Sequence, residues 1–375
     1  MIDKKRLIGE FIRLACIGSE TGDELNIAAY IASQLKSLGV KFTFDNAHKK
    51  AGGKCGNMIA YAPGSLVAPP ILLAAHMDTV KPGIGVKPVI KGDIIKSDGS
   101  TILGADDKSG IAVIFETLRV LKEKKLPHRP VEIAFTISEE TGVSGSKHLD
   151  YVLLKSRMGF ALDDSVPGEF TVSAPAKSVL NIRVHGLEAH AAIAPERGIS
   201  AIAVAAKAIS RLKLGRISAD TVANIGAFKA EGAVNIVNPY AEIKMEARSA
   251  DTNKLDALIK QINETFQKTA MEFSTKSGDK RITARCELKE ERLYDSFTVK
   301  NSSPVCELAA KACEDLGMKC RFKNGLGGTD ANHFNKHGIE TILLGTGMHN
   351  PHARTEYLCI PEMLRSAELA IQMLI

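Results

Sequence analysis

The sequence contains no tryptophan, and aromatic residues make up only 5% of its 375 residues. Its basic residues are dispersed along the chain, and the net charge of +6 is modest for this length. Proteins that bind nucleic acid usually combine a basic stripe with aromatic rings on which the bases stack. We therefore expect no nucleic-acid partner.

Long apolar runs are also lacking, since no segment approaches the ~20 apolar residues of a membrane-spanning helix. The first residues, MIDKKRLIGEFIRLA, alternate charged and apolar groups at helical spacing. They lack the unbroken apolar segment and the small-residue cleavage site of a signal peptide. These features predict a soluble, cytoplasmic protein without a membrane partner.

Cysteine is present, but not in a pattern that indicates a function. The seven cysteines are scattered, odd in number and contain no CxxC pair. Such a set is typical neither of a disulfide framework nor of a thiolate metal site. Any metal ion is therefore expected to have nitrogen and oxygen ligands.

The apolar segments that are present indicate two kinds of domain. Short continuous apolar segments alternate with helical ones, as in a sheet covered on both faces. These segments are NMIAYA, ILLAA, VEIAFTI, GFAL and ETILLG. Between them lies a stretch ordered strand–helix–strand–strand–helix–strand, which is typical of a ferredoxin-like domain. We predict an α/β domain with a covered mixed sheet (residues 1–177 and 291–375), interrupted by a ferredoxin-like α+β domain (residues 178–290).

Metal-binding residue types stand at five places in the predicted α/β domain. They are His76 and Asp78 after ILLAA, Asp106 and Asp107 before a helix, Glu139 and Glu140 after VEIAFTI, Asp163 and Asp164 after GFAL, and His349 and His352 after ETILLG. Ligands of open α/β sheets bind beyond the carboxyl ends of the strands. We therefore expect these side chains to meet at one edge of the sheet.

Imidazole and carboxylate ligands without thiolate suit Zn²⁺, with Mn²⁺ or Co²⁺ as alternatives. Two imidazoles and three or four carboxylates exceed what one tetrahedral ion needs, and they match a site in which a carboxylate bridges two ions. One of the adjacent glutamates, Glu139 and Glu140, can then be a ligand while the other acts as a base. Taken singly, each place has a simpler interpretation, such as a helix N-cap at Asp106 or a turn at Asp164. Their combination indicates a metal centre.

Five segments of the chain resemble, in the same order, the motifs of a family of zinc-dependent exopeptidases. The segments are HMDTV, GADDKSG, SEETG, LDD and NPHARTE. The family includes peptidase T, carboxypeptidase G and succinyl-diaminopimelate desuccinylase. The resemblance covers nearly the whole chain, and SDGSTILGADDKSGIA is most similar to peptidase T-like proteins. It implies a tripeptide aminopeptidase with a short peptide as its substrate. A carboxypeptidase or N-acyl amino-acid amidohydrolase is the alternative, because the same metal centre serves all three. A non-catalytic binding module is a further alternative.

The resemblance also implies roles for single residues. The implied ligands of two divalent ions are His76, Asp106, Glu140, Asp163 and His352, with Asp106 bridging. Asp78 would hold the His76 imidazole, Glu139 would be the general base, and the Asp106–Asp107 peptide bond would be cis. We choose Asp163 over Asp164 because it directly follows the apolar strand. We choose His352 over His349 because the family pattern has a glutamate, here Glu356, four residues after the ligand.

The inserted domain would act as a lid and contribute substrate contacts. His190 in GLEAHAAIAPERG resembles the residue that stabilises the oxyanion, although Ala-Ala follows it where many relatives have Ser/Pro-Gly. Arg248 resembles an arginine that grips a substrate carboxylate, with a surface charge as the alternative. Asn235 is expected to contact the substrate, and GGTDAN to lie near the site. The resemblance implies a homodimer formed through the lid domain.

Overall fold

Two units of the chain fold around separate hydrophobic cores in the computed structural model, which describes residues 2–277 and 279–375. The first unit comprises Met1–Ala174 and Phe297–Ile375, and the second comprises Pro175–Ser296. The second unit is thus an insertion in the chain of the first. Among the described residues, no helix has the length and apolar composition needed to cross a membrane.

The secondary structure contains both helices and strands in each unit. The α-helices are α1 (Lys4–Cys16), α2 (Leu25–Leu38), α3 (His48–Ala51), α4 (Ala105–Glu123), α5 (Ser144–Lys147), α6 (Ala201–Ser210), α7 (Thr252–Met271), α8 (Pro304–Asp315), α9 (Asp330–Lys336) and α10 (Ile360–Gln372), with short 3-10 helices at Tyr151–Leu153 and Pro195–Arg197. The strands are β1 (Lys41–Phe44), β2 (Met58–Ala62), β3 (Ile71–His76), β4 (Val89–Lys91), β5 (Ile94–Lys96), β6 (Val131–Thr136), β7 (Met158–Asp164), β8 (Glu169–Ala174), β9 (Ala176–His185), β10 (Gly215–Ser218), β11 (Thr221–Lys229), β12 (Tyr240–Ser249), β13 (Ser274–Ser277), β14 (Lys280–Thr283), β15 (Arg285–Tyr294), β16 (Phe297–Thr298), β17 (Arg321–Asn324), β18 (Glu340–Gly345), β19 (Met348–His349) and β20 (Tyr357–Cys359).

The large sheet of the first unit is mixed. Its strand order is β1-β2-β6-β3-β7-β18-β8-β16, with β17 beside β8. The four central strands β6, β3, β7 and β18 are parallel to their neighbours in this group, whereas β2 and β8 join it antiparallel. The carboxyl ends of four strands therefore meet at one edge of the sheet, where ligand sites of α/β proteins form.

Both faces of this sheet are covered. Every residue of β3 is buried. Ile71 and Leu73 belong to the core that also contains residues of α1, α2, α4 and α10. Leu72 and Ala74 point to the other face and pack with Phe334 of α9. Successive strand residues point to opposite faces, so a continuous apolar strand must be covered on both faces. The predicted α/β fold is confirmed.

The second unit has an antiparallel sheet of order β10-β11-β12-β9-β15. Helices α6 and α7 contribute to one core with alternate residues of β12, namely Ala241, Ile243, Met245 and Ala247. The helices and the strands β9, β11, β12 and β15 follow one another in the predicted order, and β9 lies between β12 and β15 as in a ferredoxin-like sheet. The segment RITARCEL, expected to be one strand, is instead divided between β14, which pairs with β13, and β15.

Candidate metal centre

The predicted ligands converge at the carboxyl edge of the parallel strands. His76 is the last residue of β3, and Asp163 is the next-to-last residue of β7. Glu140 follows β6 by four residues, and His352 lies in the turn between β19 and β20. Asp106 stands at the start of α4, where its own dihedral angles and those of Asp107 are not helical. These five residues come from segments that are far apart in the chain.

Asp106 lies at the centre of this cluster. Its Oδ1 is 2.8 Å from Nε2 of His76, and its Oδ2 is 3.2 Å from Nε2 of His352. Nε2 of His352 is also 2.8 Å from Oε2 of Glu140, and Nε2 of His76 is 3.9 Å from Oδ1 of Asp163. Each oxygen of Asp106 thus faces a different histidine, as a carboxylate that bridges two ions must.

Asp107 joins the cluster although the sequence did not single it out as a ligand. In the part of the chain that the structure describes, two sets of three residues have ligand atoms that all lie within 4.8 Å of one another: His76 with Asp106 and Glu140, and His76 with Asp107 and Asp163. The Asp106–Asp107 peptide bond is cis, as the resemblance implied. Asp107 also accepts a hydrogen bond from the backbone N–H of His76 at 3.1 Å, so it holds the end of β3.

Several negative charges are buried together here, and they suit divalent cations. Oε1 of Glu140 and Oδ1 of Asp107 are buried and have no hydrogen-bond partner among the described residues. Burial, together with the charge of Asp106, raises the pKa of Asp163 well above its ordinary value. Burial likewise raises the pKa of Glu140. Buried carboxylates are costly unless they are paired or bind metal, and the nitrogen and oxygen donors fit Zn²⁺ or a similar ion.

The pKa values of the two histidines are also raised, because carboxylates contact both imidazoles. Burial alone would lower the pKa of His76, but its hydrogen bonds to Asp106 and Asp78 raise this pKa well above the ordinary value. Hydrogen bonds to Asp106 and Glu140 raise the pKa of His352 to about 10. Both imidazoles are thus surrounded by carboxylates on the side where a cation would bind.

The structure separates the two adjacent aspartates of β7. Asp164 accepts hydrogen bonds from Lys323 Nζ at 3.0 Å and from Thr171 Oγ1 at 2.6 Å. Asp163 instead faces His76. Neighbouring strand residues point to opposite faces, so only one of the pair can reach the cluster, and the geometry favours Asp163.

His349 and His352 likewise have different contacts. His349 Nε2 is 2.6 Å from Glu362 Oε2, and the His349 ring stacks on Tyr357 with centroids 4.8 Å apart. His352 is the histidine that contacts Asp106 and Glu140.

Asp78 holds both glutamates as well as His76. Nδ1 of His76 is 2.9 Å from the backbone carbonyl of Asp78 and 3.5 Å from its carboxylate. The carboxylate accepts the backbone N–H of Glu139 at 2.9 Å and that of Glu140 at 3.2 Å, and the hydroxyl of Thr21 at 2.7 Å. The predicted contact with His76 is therefore made mainly by the backbone. The carboxylate fixes the turn that carries the glutamates.

A cavity of about 230 Å³ lies against this cluster. Its lining includes Asp106, Glu139, Asp163, Gly328, Thr329 and His352. Gly328 and Thr329 belong to the GGTDAN segment that was expected near the site. Glu139 is only 8% exposed, and burial raises its pKa well above the ordinary value. The largely buried carboxylate of Glu139 thus lines the same cavity as the predicted metal ligands.

Comparison with known proteins identifies the family of this chain. The model of peptidase family M20/M25/M40 matches residues 72–375. The chain belongs to this peptidase family. The resemblance drawn from the motifs is confirmed, as is the prediction of a peptidase.

Solved structures and curated sequences include close relatives of the peptidase. Aminopeptidase PepT from Bacillus cereus ATCC 10987 is 38% identical, with a TM-score of 0.90 over 99% of this chain and 98% of that chain. A tripeptidase from Staphylococcus aureus subsp. aureus Mu50 is 35% identical, with a TM-score of 0.91 over 100% of this chain and 98% of that chain. Peptidase T of Escherichia coli K12 is 29% identical over 285 residues, which are 74% of this chain and 67% of that protein.

The predicted substrate-binding residues of the peptidase belong to its second unit. His190 is exposed, and its Nδ1 accepts the backbone N–H groups of Ala192 and Ile193 at 3.2 and 3.3 Å. Asn235 lies beside it, since its carbonyl accepts the N–H of Ala191 at 2.8 Å. With Nδ1 as an acceptor, the neutral His190 ring carries its proton on Nε2. The Ala-Ala pair after His190 therefore still permits a defined turn.

Arg248 lies in β12 and is half-buried. Its Nε and Nη2 contact the two carboxylate oxygens of Glu246, each at 3.2 Å. Lys177 Nζ contacts the same carboxylate at 3.1 Å. Arg248 thus already makes the forked contact with a carboxylate that was expected for a substrate.

Asn57 supports the turn that carries Glu139 and Glu140 of the peptidase, and the sequence analysis did not identify it. Asn57 donates to the carbonyl of Gly145 at 2.9 Å and accepts the N–H of Ile137 at 3.0 Å. It therefore ties together the two ends of the turn that carries Glu139 and Glu140. These contacts span 80 residues or more of sequence, and no local pattern marks them.

Proposed function

We propose that the protein is an aminopeptidase that cleaves tripeptides with the help of two divalent metal ions, Zn²⁺ in the native enzyme. The observation that carries the proposal is the 38% identity, over 99% of this chain, to an aminopeptidase PepT. The tripeptidase relative at 35% identity supports the same substrate class. The cluster around Asp106 supports the two-metal part of the proposal.

One ion would be held by His76, Asp106 and Asp163, and the other by Asp106, Glu140 and His352. Two such ions supply polarisation of the scissile carbonyl and a water of lowered pKa. Asp106 would be shared, which agrees with its two oxygens facing different histidines. Asp107 is available to the first ion through its buried Oδ1.

Glu139 would act as the general base and acid. It borders the cavity beside Asp106 and Asp163, and its backbone N–H is fixed by Asp78. From this position its carboxylate would accept a proton from the attacking water and return it to the leaving amine. Because it is mostly shielded from solvent, the proton would not be lost to bulk water.

The second unit would supply the contacts that recognise the substrate. His190 would donate from Nε2 to the oxygen on which negative charge develops. Arg248 would exchange Glu246 for the substrate carboxylate, a contact for which its forked guanidinium is suited. Asn235 would bind the substrate backbone beside His190.

Matched tripeptides test the proposal. The free peptide, an N-blocked peptide and a C-amidated peptide are incubated with metal-loaded enzyme, and the products are identified by mass. We expect release of the first residue from the free peptide and no cleavage of the N-blocked one. Release of the last residue would indicate a carboxypeptidase, and cleavage of the N-blocked peptide alone would indicate an amidohydrolase. A protein that binds both ions and cleaves none of the three would be a binding module.

The homodimer through the lid domain and the cytoplasmic location stay predictions. Sedimentation of the purified protein tests the first, because a dimer has twice the monomer mass of 40.3 kDa. Fractionation of cells that produce the protein tests the second.

A further inference from the structure

Glu356 is a buried carboxylate, and the sequence analysis used it only to choose His352 as a ligand. It is 1% exposed and lies between the His352 turn and the start of α4. Its Oε2 accepts the backbone N–H groups of Leu103 and Gly104 at 2.8 and 2.7 Å. Its Oε1 accepts the N–H of Asp106 at 3.0 Å. One side chain thus satisfies three backbone donors around the bridging aspartate.

The same residue is also linked to the turn that follows His352. The N–H of Glu356 donates to the carbonyl of Ala353 at 2.9 Å, which closes the turn after His352. His352 itself contacts Asp106 at 3.2 Å. The segment from His352 to Glu356 therefore meets the Asp106 segment twice, once through the imidazole and once through the Glu356 carboxylate.

The Asp106 segment needs this support because its backbone is irregular. Gly104 has a φ of 72° and precedes α4, and Asp106 and Asp107 do not have helical dihedral angles. The first N–H groups of a helix have no partner within the helix and need an acceptor. Glu356 is that acceptor, and a charged acceptor makes a stronger hydrogen bond than a neutral one.

We infer that Glu356 is a positioning residue that sets the distance between Asp106 and His352, and thereby the affinity of the site that these two residues share with Glu140. The inference rests on the proposed two-metal function. Glu356 would not contact metal or substrate. Its effect would pass through the backbone of Asp106 and through the turn that carries His352.

Glu356→Gln tests the inference. The amide nitrogen of glutamine is a donor, so it cannot accept the backbone N–H groups that one carboxylate oxygen now binds. We expect the affinity for Zn²⁺ at one of the two sites to fall by about 10–100-fold, as for other residues that support metal ligands. The readout is a competition titration of metal-free protein with Zn²⁺ and a chromophoric chelator, which does not depend on activity.

Glu132→Gln is the matched control. Glu132 is 3% exposed and also accepts backbone N–H groups, those of Lys155 and Ser156 at 2.8–3.0 Å. It lies at the amino end of β6, whereas the cluster lies beyond the carboxyl end. Both variants should melt at a lower temperature than the wild type, because each loses hydrogen bonds to a buried charge. Only Glu356→Gln should lose Zn²⁺ affinity.

If Glu356→Gln does not fold, Glu356→Asp replaces it, since aspartate keeps the charge but is too short to reach all three donors. Wild-type Zn²⁺ affinity at both sites in the folded variant would overturn the inference and leave the proposed function intact. A wild-type protein that binds fewer than two ions, or that cleaves no tripeptide, would instead refute the proposed function before any variant is compared.

Discussion

Replacing each of the two adjacent glutamates by glutamine should damage the enzyme in different ways. In Glu139→Gln the backbone N–H stays bound to Asp78 Oδ1, so the turn is retained and only the proton acceptor is lost. General acid–base groups contribute about 10²–10⁴ to the rate, or about 3–5 kcal/mol of activation free energy. We expect kcat to fall by this factor while both ions and KM are retained.

Glu140→Gln should act through metal binding instead. Oε2 of Glu140 is 2.8 Å from His352 Nε2, and its Oε1 is buried without a partner among the described residues. The glutamine amide removes the charge and one ligand atom. We expect the affinity for one ion to fall at least about tenfold, or ~1.4 kcal/mol, and activity to recover in part at high metal concentration.

The assay combines steady-state kinetics on a tripeptide with elemental analysis of each variant after gel filtration. The wild type and Glu132→Gln, whose carboxylate lies away from the cluster, serve as controls. Two results would refute the assignment of roles. One is a Glu139→Gln protein that keeps most of its kcat, and the other is loss of a metal ion by Glu139→Gln but not by Glu140→Gln.

Four further predictions follow from the same structure. Arg248→Lys should lower kcat/KM for peptides with a free C-terminus by about tenfold or more, the worth of one hydrogen bond between charged groups; an equal loss on C-amidated peptides would show that Arg248 is structural. His190→Ala should lower kcat by about 10²–10³, as for other oxyanion donors, and an unchanged kcat would remove His190 from the mechanism. Removing metal with a chelator should abolish activity and lower the free energy of unfolding measured with urea, by ~2.7 kcal/mol for each ion whose free concentration had been 100 times its Kd; unchanged stability would contradict sites that bind only the folded chain. At pH 8 an alkylating reagent should modify the exposed Cys16 in the folded protein but not Cys55, because burial raises the pKa of Cys55 to about 12 and keeps this thiol protonated; mass spectrometry of the labelled peptides decides this.

The sequence by itself determined the fold class and the residue types of the site. Continuous apolar strands such as ILLAA need cover on both faces, and alternating strands such as AEIKMEARS need it on one. These patterns are local properties of the sequence and do not depend on which elements pack together. They therefore predicted a covered sheet with an inserted α+β domain. They did not predict where RITARCEL divides into two strands, because that depends on pairing with β13.

The sequence favoured Asp163 and His352 over their neighbours, but only the tertiary structure has the contacts that direct one residue of each pair toward the cluster. Asp163 and Asp164 are chemically the same, but a strand directs them to opposite faces, and Lys323 binds the second. His349 and His352 are three residues apart, and Glu362 binds the first.

The supporting contacts were beyond sequence reasoning for the same physical reason. Glu356 binds the Asp106 segment across 250 residues or more of sequence, and Asp78 binds Glu139 across 61 residues. Residue types and spacing can predict that a side chain is able to accept a hydrogen bond. Which donor it meets depends on how the chain folds back on itself, because a hydrogen bond requires contact within about 3 Å.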